Sequence, residues 1–427
     1  MKFNIITFGC KVNAYESEYI KEQFLKNDFI YEDDTKNSDI VIVNTCSVTN
    51  TADNKCLKTI RGIKRDNKDC ILVVCGCSAE NHRHEFDDLG IDILIGNNNK
   101  SKLVTYVKDF IDNKETYCEF YDGRQSNFEN MQVAKFNDLT RAFVKIQDGC
   151  NNFCSYCIIP YVRGGVRSKE INTAYKEIKE LVEAGHREIV FTGINTGAYG
   201  KETGQYDLVD LIQKISKLEK LERIRVSSIE ITEIDDRFIE ELAKNKKVCG
   251  HLHVSLQTGC DKVLKLMNRK YKKDEYLQKV QKIKKVRPDI NLTTDVIVGF
   301  PGEDEEDFLE TVAFCQEVGF SKIHVFPYSE RKGTVAYTMP NKVPGNIRKD
   351  RARRLIKIDE GLQKKFNEQF VGKAVEVLIE EVFDDYSIGH TENFLKVIIK
   401  ERLEKNKIYN VLIEEALVDC VNGKYLK

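Results

Sequence analysis

Short aliphatic runs separated by stretches with helical spacing fill the first hundred residues. Residues 3–7, 40–44, 71–75 and 92–95 read as strands, and 16–25, 52–65 and 102–111 carry helical patterns between them. Apolar runs of this length, each followed by a helix, predict an open parallel sheet covered on both faces. The stretch 117–138 is polar and aperiodic and reads as a linker. The alternation resumes at residue 141. Strands are expected at 143–147, 188–192, 223–228, 252–256, 291–298 and 322–326, with helices at 172–184, 208–218, 236–244, 274–286, 305–318 and 348–369. Six such units make an incomplete β/α barrel whose gap is closed by a neighbouring domain or by substrate. Beyond residue 370, short strands at 374–380, 394–399, 408–413 and 416–420 suggest a small β-barrel. The expected class is α/β, with an N-terminal sheet domain over 1–116, a linker over 117–138, a barrel over 139–366 and a small β-barrel over 367–427.

The chemistry concentrates in cysteine. Fourteen cysteines in 427 residues do not read as a secreted disulfide scaffold. Cys150, Cys154 and Cys157 form a CxxxCxxC run at the end of the first barrel strand, the functional end of such a barrel. Three thiolates in one loop can hold three corners of a cubic iron–sulfur cluster and leave the fourth iron open to a chelating small molecule. Zinc is the alternative, but no second cysteine or histidine pair follows. The next cysteine is Cys249 and the nearest histidine His186. A second set is scattered. Cys10, Cys46 and Cys77 each follow a predicted strand of the N-terminal sheet, so the topology can bring them to one edge. Burial as small packing residues competes with that reading. Cys56, Cys70 and Cys75 fall in a helix, before a strand and within a strand, and read as packing.

Polar groups at the barrel strand ends suit a nucleotide-like ligand. Gly193 allows close backbone approach, and Ser228, Glu230, Gln257 and Asp295 deliver side chains. The acidic run 303–307 reads as the cap of the following helix. Net charge is −1, so contact with nucleic acid must come from local patches. Residues 262–287 carry eleven Lys/Arg against two Asp/Glu, and 342–365 nine against three. Solvated helix faces and phosphate contacts both explain such runs. No apolar stretch is long enough to span a membrane, and the apolar part before Cys10 is too short for a signal peptide. A cytoplasmic, reducing location is expected.

CxxxCxxC, followed by those strand ends in that order, resembles the radical S-adenosylmethionine (radical SAM) enzymes. With Gly9-Cys10, Asn44-Thr45-Cys46 and Gly76-Cys77 added, nearly the whole chain resembles the methylthiotransferases of that group. The resemblance implies two 4Fe-4S clusters, an auxiliary one on Cys10, Cys46 and Cys77 and a radical SAM one on Cys150, Cys154 and Cys157. It also implies S-adenosylmethionine as cofactor, cleaved by one electron to an adenosyl radical, and a C-terminal barrel similar to the RNA-gripping TRAM domain. A one-electron reductant such as flavodoxin is implied, and the sulfur donor is left open. Phe8-Gly9-Cys10-Lys11-Val12-Asn13 resembles the branch acting on N6-threonylcarbamoyladenosine beside the tRNA anticodon, and 159–164 also fits a tRNA branch. Isopentenyladenosine in tRNA, a ribosomal-protein side chain, or a non-catalytic metal-bearing RNA-binding role are the alternatives. The C-terminal barrel, with twelve Asp/Glu against eight Lys/Arg from residue 366, departs from a strongly basic RNA grip.

Overall fold

The computed structural model describes residues 1–47, 50–120, 127–134, 136 and 140–426. Its N-terminal part runs β1 (Lys2–Thr7), α1 (Lys11–Lys26), β2 (Ile30–Tyr31), β3 (Ile40–Thr45), α2 (Asn50–Asp66), β4 (Ile71–Gly76), α3 (Cys77–Asn81), β5 (Ile93–Ile95), α4 (Leu103–Asn113) and β6 (Tyr117–Glu119). The strands form one parallel sheet in the order β2-β1-β3-β4-β5-β6. Alternation across β3 explains its two cores. Ile40 and Ile42 pack with Phe3, Ile20 and Phe24 on one face, and Val41 and Val43 with Leu57 and Ile60 on the other. The start of the expected linker is in fact the edge strand β6. Tyr117 stacks on Tyr106 with ring centroids 4.2 Å apart. The strand reads as polar because it has a partner on one side only. Residues 121–126, 135 and 137–138 of that expected linker, the boundary residue 139 and the terminal residue 427 lie outside the described residues.

The middle of the chain runs β7 (Arg141–Lys145), β8 (Gln147–Asp148), α5 (Ile159–Arg163), β9 (Arg167–Ser168), α6 (Ile171–Glu183), β10 (Glu188–Thr192), α7 (Leu208–Ile215), β11 (Arg223–Val226), β12 (Ser228–Glu230), α8 (Asp236–Lys244), β13 (His251–Ser255), α9 (Asp261–Leu266), α10 (Lys273–Val286), β14 (Asn291–Val298), α11 (Glu305–Val318), β15 (Lys322–Pro327) and α12 (Gly345–Glu368). All the long strands are parallel. They form two sheets, β11-β10-β7 and β12-β13-β14-β15. The strand expected over 223–228 breaks at Ser227 to make β11 and β12. The seam is held by the Cys249 N–H donating to the Ile224 carbonyl at 2.9 Å. β7 and β15 are the open edges. Helix α1 of the N-terminal part lies against β7, and α12, the last helix of the barrel, against β15.

The C-terminal strands β16 (Ala374–Val382), β17 (Ser387–Thr391), β18 (Lys396–Ile399), β19 (Ile408–Ala416) and β20 (Val421–Tyr425) close into a barrel in the order β16-β17-β18-β20-β19. Val377, Ile379, Val397, Ile399, Val411 and Ile413 fill it. Sequence reading missed β17 and placed the last strand over 416–420, one turn early. β17 hides because Gly389 sits at its centre. A Cβ there would lie 2.3 Å from the Leu378 carbonyl, so the barrel wall demands glycine where the pattern expects a bulky residue. This barrel caps the strand starts of the larger one. Glu380 pairs with Arg141, and Arg223 donates to the Glu376 and His390 carbonyls at 3.2 and 3.1 Å. Among the described residues no helix is long and apolar enough to cross a membrane.

Candidate active site

The CxxxCxxC loop leaves β8 and enters α5. Gly149, at φ +71°, starts it; a Cβ there would fall 1.9 Å from the Gly165 carbonyl. The Cys150 N–H donates to the Gly164 carbonyl at 3.0 Å and the Cys157 N–H to the Cys154 carbonyl at 2.9 Å. Ser155 pins the loop to the end of α9 through the Leu266 and Met267 carbonyls. The three thiols lie close enough to feel one another's charge. Burial first, with the neighbouring cysteines adding to it, pushes the Cys150 thiol up to about 11 and the Cys157 thiol up to about 12. Mutually repelling thiolates in a buried loop are stabilised by a bound metal centre, whose own charge reverses that logic. One cation is built in. Arg269 donates to the Cys154 sulfur at 3.2 Å and is paired with Glu230.

The second set does converge at one sheet edge. Cys10 is the N-cap of α1 after β1, Cys46 follows β3 directly, and Cys77 opens α3 after β4. A Cβ at Gly9, whose φ is +99°, would lie 2.3 Å from the Cys46 sulfur, so only glycine lets the Cys10 loop close onto Cys46. All fourteen cysteines are free. Free, loop-borne thiols of both sets, cradled by glycines that no other residue can replace, fit an iron–sulfur group. Cys75 lies in one apolar cluster and Cys70 in the other, and the Cys56 sulfur rests against the Cys46 carbonyl at 4.0 Å, as packing residues should; Cys77 also packs against Ile158 and Val162, but its sulfur accepts from Arg163.

Arg163, at the end of α5, joins the two sets. Fully enclosed, it donates to the Cys77 sulfur at 3.2 Å, to Asn13 at 2.8 Å, to Asp148 at 3.1 Å and to Glu16 at 3.2 Å. Burial would raise the Glu16 carboxyl, but Lys100, Lys145 and Arg163 more than offset it and hold it well below the usual carboxylate range. Burial likewise raises the Cys10 thiol, while the Arg163 charge opposes that. Sequence reading could not find this network, because its members lie on α1, α3, β7, β8, α5 and the turn before α4.

Two cavities occupy the barrel. The upper one, about 460 Å³, is lined by Cys157, Tyr156, Gln257, Asp295, Ile297, Tyr328 and Arg331, and by Ser47 from the N-terminal sheet. Arg331 ties the two parts there, donating to Ser47 at 3.0 Å and to Asp53 at 3.2 Å. The lower one, about 630 Å³, is the lumen itself and includes Ser228 and, again, Asp295. Four of the five strand-end candidates therefore face the cysteines or the lumen, with Glu230 reaching Cys154 through Arg269. Gly193 lines neither cavity. Its missing Cβ makes room for Gln147, 2.9 Å away, and its small size serves strand packing.

The basic stretches are partly neutralised. Lys262 pairs with Asp304 and Asp307, Lys273 with Glu310, and Lys282 with Asp236. Arg351 is buried against Glu303, and Arg354 pairs with Glu305. Acidic residues 304 and 307 do cap α11, in a reciprocal capping box.

The Radical SAM superfamily matches residues 144–315, and an uncharacterised protein family, UPF0004, matches residues 2–96. A Bacillus subtilis protein named threonylcarbamoyladenosine tRNA methylthiotransferase MtaB is 38% identical over 99% of this chain and 95% of its own. The Thermotoga maritima protein of the same name is 36% identical over 98% of both. A tRNA-2-methylthio-N(6)-dimethylallyladenosine synthase of Acetivibrio thermocellus is 37% identical over 88% of this chain and 80% of its own. Among solved structures, the radical S-adenosylmethionine methyltransferase TsrM of Kitasatospora setae superposes with a TM-score of 0.58 at 13% identity, over 79% of this chain and 73% of that one. That likeness concerns the fold.

Proposed function

Since the chain belongs to the radical SAM tRNA methylthiotransferases, we propose that it adds a methylthio group to N6-threonylcarbamoyladenosine beside the anticodon of tRNA. The observation that carries this reading is Arg163, which comes from the helix after one cysteine set and touches the sulfur of another. A sulfur-inserting radical reaction needs both sets beside one substrate. Cys150, Cys154 and Cys157 would hold one 4Fe-4S cluster, and Cys10, Cys46 and Cys77 the other. When bound, the clusters and S-adenosylmethionine supply the one-electron cleavage, the sulfur and the methyl group.

The protein's own part is binding, orientation and exclusion of water. Gln257 and Asp295 line the cavity beside Cys157 and offer hydrogen bonds to the polar groups of S-adenosylmethionine. Tyr156, Ile297, Phe326 and Tyr328 make its remaining wall largely apolar and keep a reactive radical from water. Phe153 and Tyr161 are about half exposed at the loop mouth, rings 5.8 Å apart edge to face. They can stack on bases splayed out of an anticodon loop. The reaction also requires a one-electron reductant of the flavodoxin kind and a sulfur donor.

The test is nucleoside mass spectrometry on two purified tRNAs, one carrying threonylcarbamoyladenosine and one isopentenyladenosine, each incubated with anaerobically reconstituted enzyme. Methylthiolation of the first supports the reading. Methylthiolation of the second alone would assign the chain to the other tRNA branch.

A further inference from the structure

The lumen of this barrel is cationic where a barrel core is ordinarily apolar. Arg141, Arg225 and His251 project into it from β7, β11 and β13, and Lys11 enters from the N-terminal sheet domain. Two of these groups are unsatisfied. Arg225 is 2% exposed and His251 8% exposed, yet among the described residues Arg225 Nη1 and His251 Nδ1 have no hydrogen-bond partner. The other Arg225 nitrogens are occupied, Nε by Glu188 at 2.6 Å and Nη2 by the Glu392 carbonyl at 3.1 Å. Lys11 makes no salt bridge among the described residues. The carboxylate whose field reaches it, Glu188, is already held by Arg225. A buried, partly unpartnered guanidinium beside an unpaired ammonium is a site that lacks its anion.

Position says which anion. Lys11 directly follows Cys10, and Asp295 lines both the lumen and the cavity that holds Cys157. The lumen thus opens through Asp295 toward the cavity beside Cys157, and its Lys11 is the chain neighbour of Cys10, so the N6 tail of a base held between the two sets would extend into it. N6-Threonylcarbamoyladenosine differs from isopentenyladenosine in ending its N6 substituent in a carboxylate. We propose that Lys11 and Arg225, with His251, form the subsite for that carboxylate, so that the lumen selects adenosines with an acidic N6 tail over those with an apolar one. This rests on the substrate reading above.

The test uses anaerobically reconstituted enzyme and three anticodon stem-loop RNAs, carrying threonylcarbamoyladenosine, its methyl ester, or isopentenyladenosine. Equilibrium binding and kcat/KM for methylthiolation are measured for wild type, Lys11→Gln and Lys11→Arg. The wild type should lose about tenfold or more on the ester, the scale of one charge-assisted hydrogen bond. Lys11→Gln should lose a similar factor on the acid and little further on the ester, with Lys11→Arg recovering most of it. Equal losses on acid and ester in Lys11→Gln would overturn the subsite, since that is the signature of a contact to the RNA backbone. Wild-type turnover of the ester as fast as the acid would also overturn the subsite while leaving the substrate reading standing. Turnover of the isopentenyl RNA alone would overturn both.

Discussion

Glu16 faces three cations, Lys100, Lys145 and Arg163, with almost no exposed surface among the four. Removing one partner of such a buried cluster leaves the others uncompensated, at a cost of about 3–5 kcal/mol. Glu16→Ala is therefore expected to lower the denaturant midpoint sharply and to loosen the N-terminal sheet from the barrel, measured by unfolding and by protease sensitivity. Asp148 belongs to the same cluster, and Lys145, Arg163 and Arg167 likewise outweigh its burial. Both folded-state pKa values are depressed. Their stabilisation is thus fully present above the unfolded carboxylate value of about 4 and is lost as pH falls below it. Stability measured downward from pH 5 should fall less steeply in Glu16→Gln than in wild type; parallel curves would remove Glu16 from this role. The cysteines make a second residue-scale prediction. With Cys150, Cys154 and Cys157 all changed to Ala, anaerobically reconstituted protein should keep about half its iron, because one of two like clusters remains. Loss of all iron from a well-folded variant would refute two independent sites.

At the scale of elements, what was legible followed burial. Strands β10 and β14 and helices α8 and α11 fall where the periodicity puts them, because each buries a continuous apolar stripe. Edge strand β6 and the glycine-centred β17 were hidden because half-covered or close-packed positions do not favour bulky apolar residues. The basic run on α12 was legible as charge but not as geometry. Arg351 turned out to serve Glu303, and Arg354 serves Glu305. The candidates for phosphate contact are then the exposed Lys349, Lys357 and Lys364, which make no ion pairs among the described residues. They fall on one side of the helix at 3.6 residues per turn. Changing all three to Ala should weaken tRNA binding and make the salt slope shallower by about 0.7–0.9 for each phosphate no longer neutralised, with iron content unchanged. An unaltered slope would return this face of α12 to plain solvation.

For the molecule as a whole, near-neutral charge conceals an acidic C-terminal barrel, which the count from residue 366 reveals, and a cationic lumen, which no count along the chain reveals. The cluster loop was legible because its three cysteines lie within eight residues. The auxiliary set was legible only as three strand ends, until the parallel order β1-β3-β4 placed adjacent strands, and hence Cys10, Cys46 and Cys77, at one edge. That placement implies a division of labour. The residues proposed to hold and orient S-adenosylmethionine lie on the barrel, around Cys157, Gln257 and Asp295, whereas Cys10, Cys46 and Cys77 lie on a separate sheet with its own two cores. Changing those three to Ala removes thiols at a loop edge and leaves both cores intact. The variant should still cleave S-adenosylmethionine reductively to methionine and deoxyadenosine, at a rate within a few-fold of wild type, yet yield no methylthioadenosine nucleoside from tRNA. Chromatography of the small-molecule products and mass spectrometry of the digested tRNA read the two halves separately. Loss of both would mean that the sheet domain is needed to build the barrel site. Retention of the methylthio product would mean that sulfur enters by a route that does not pass these cysteines.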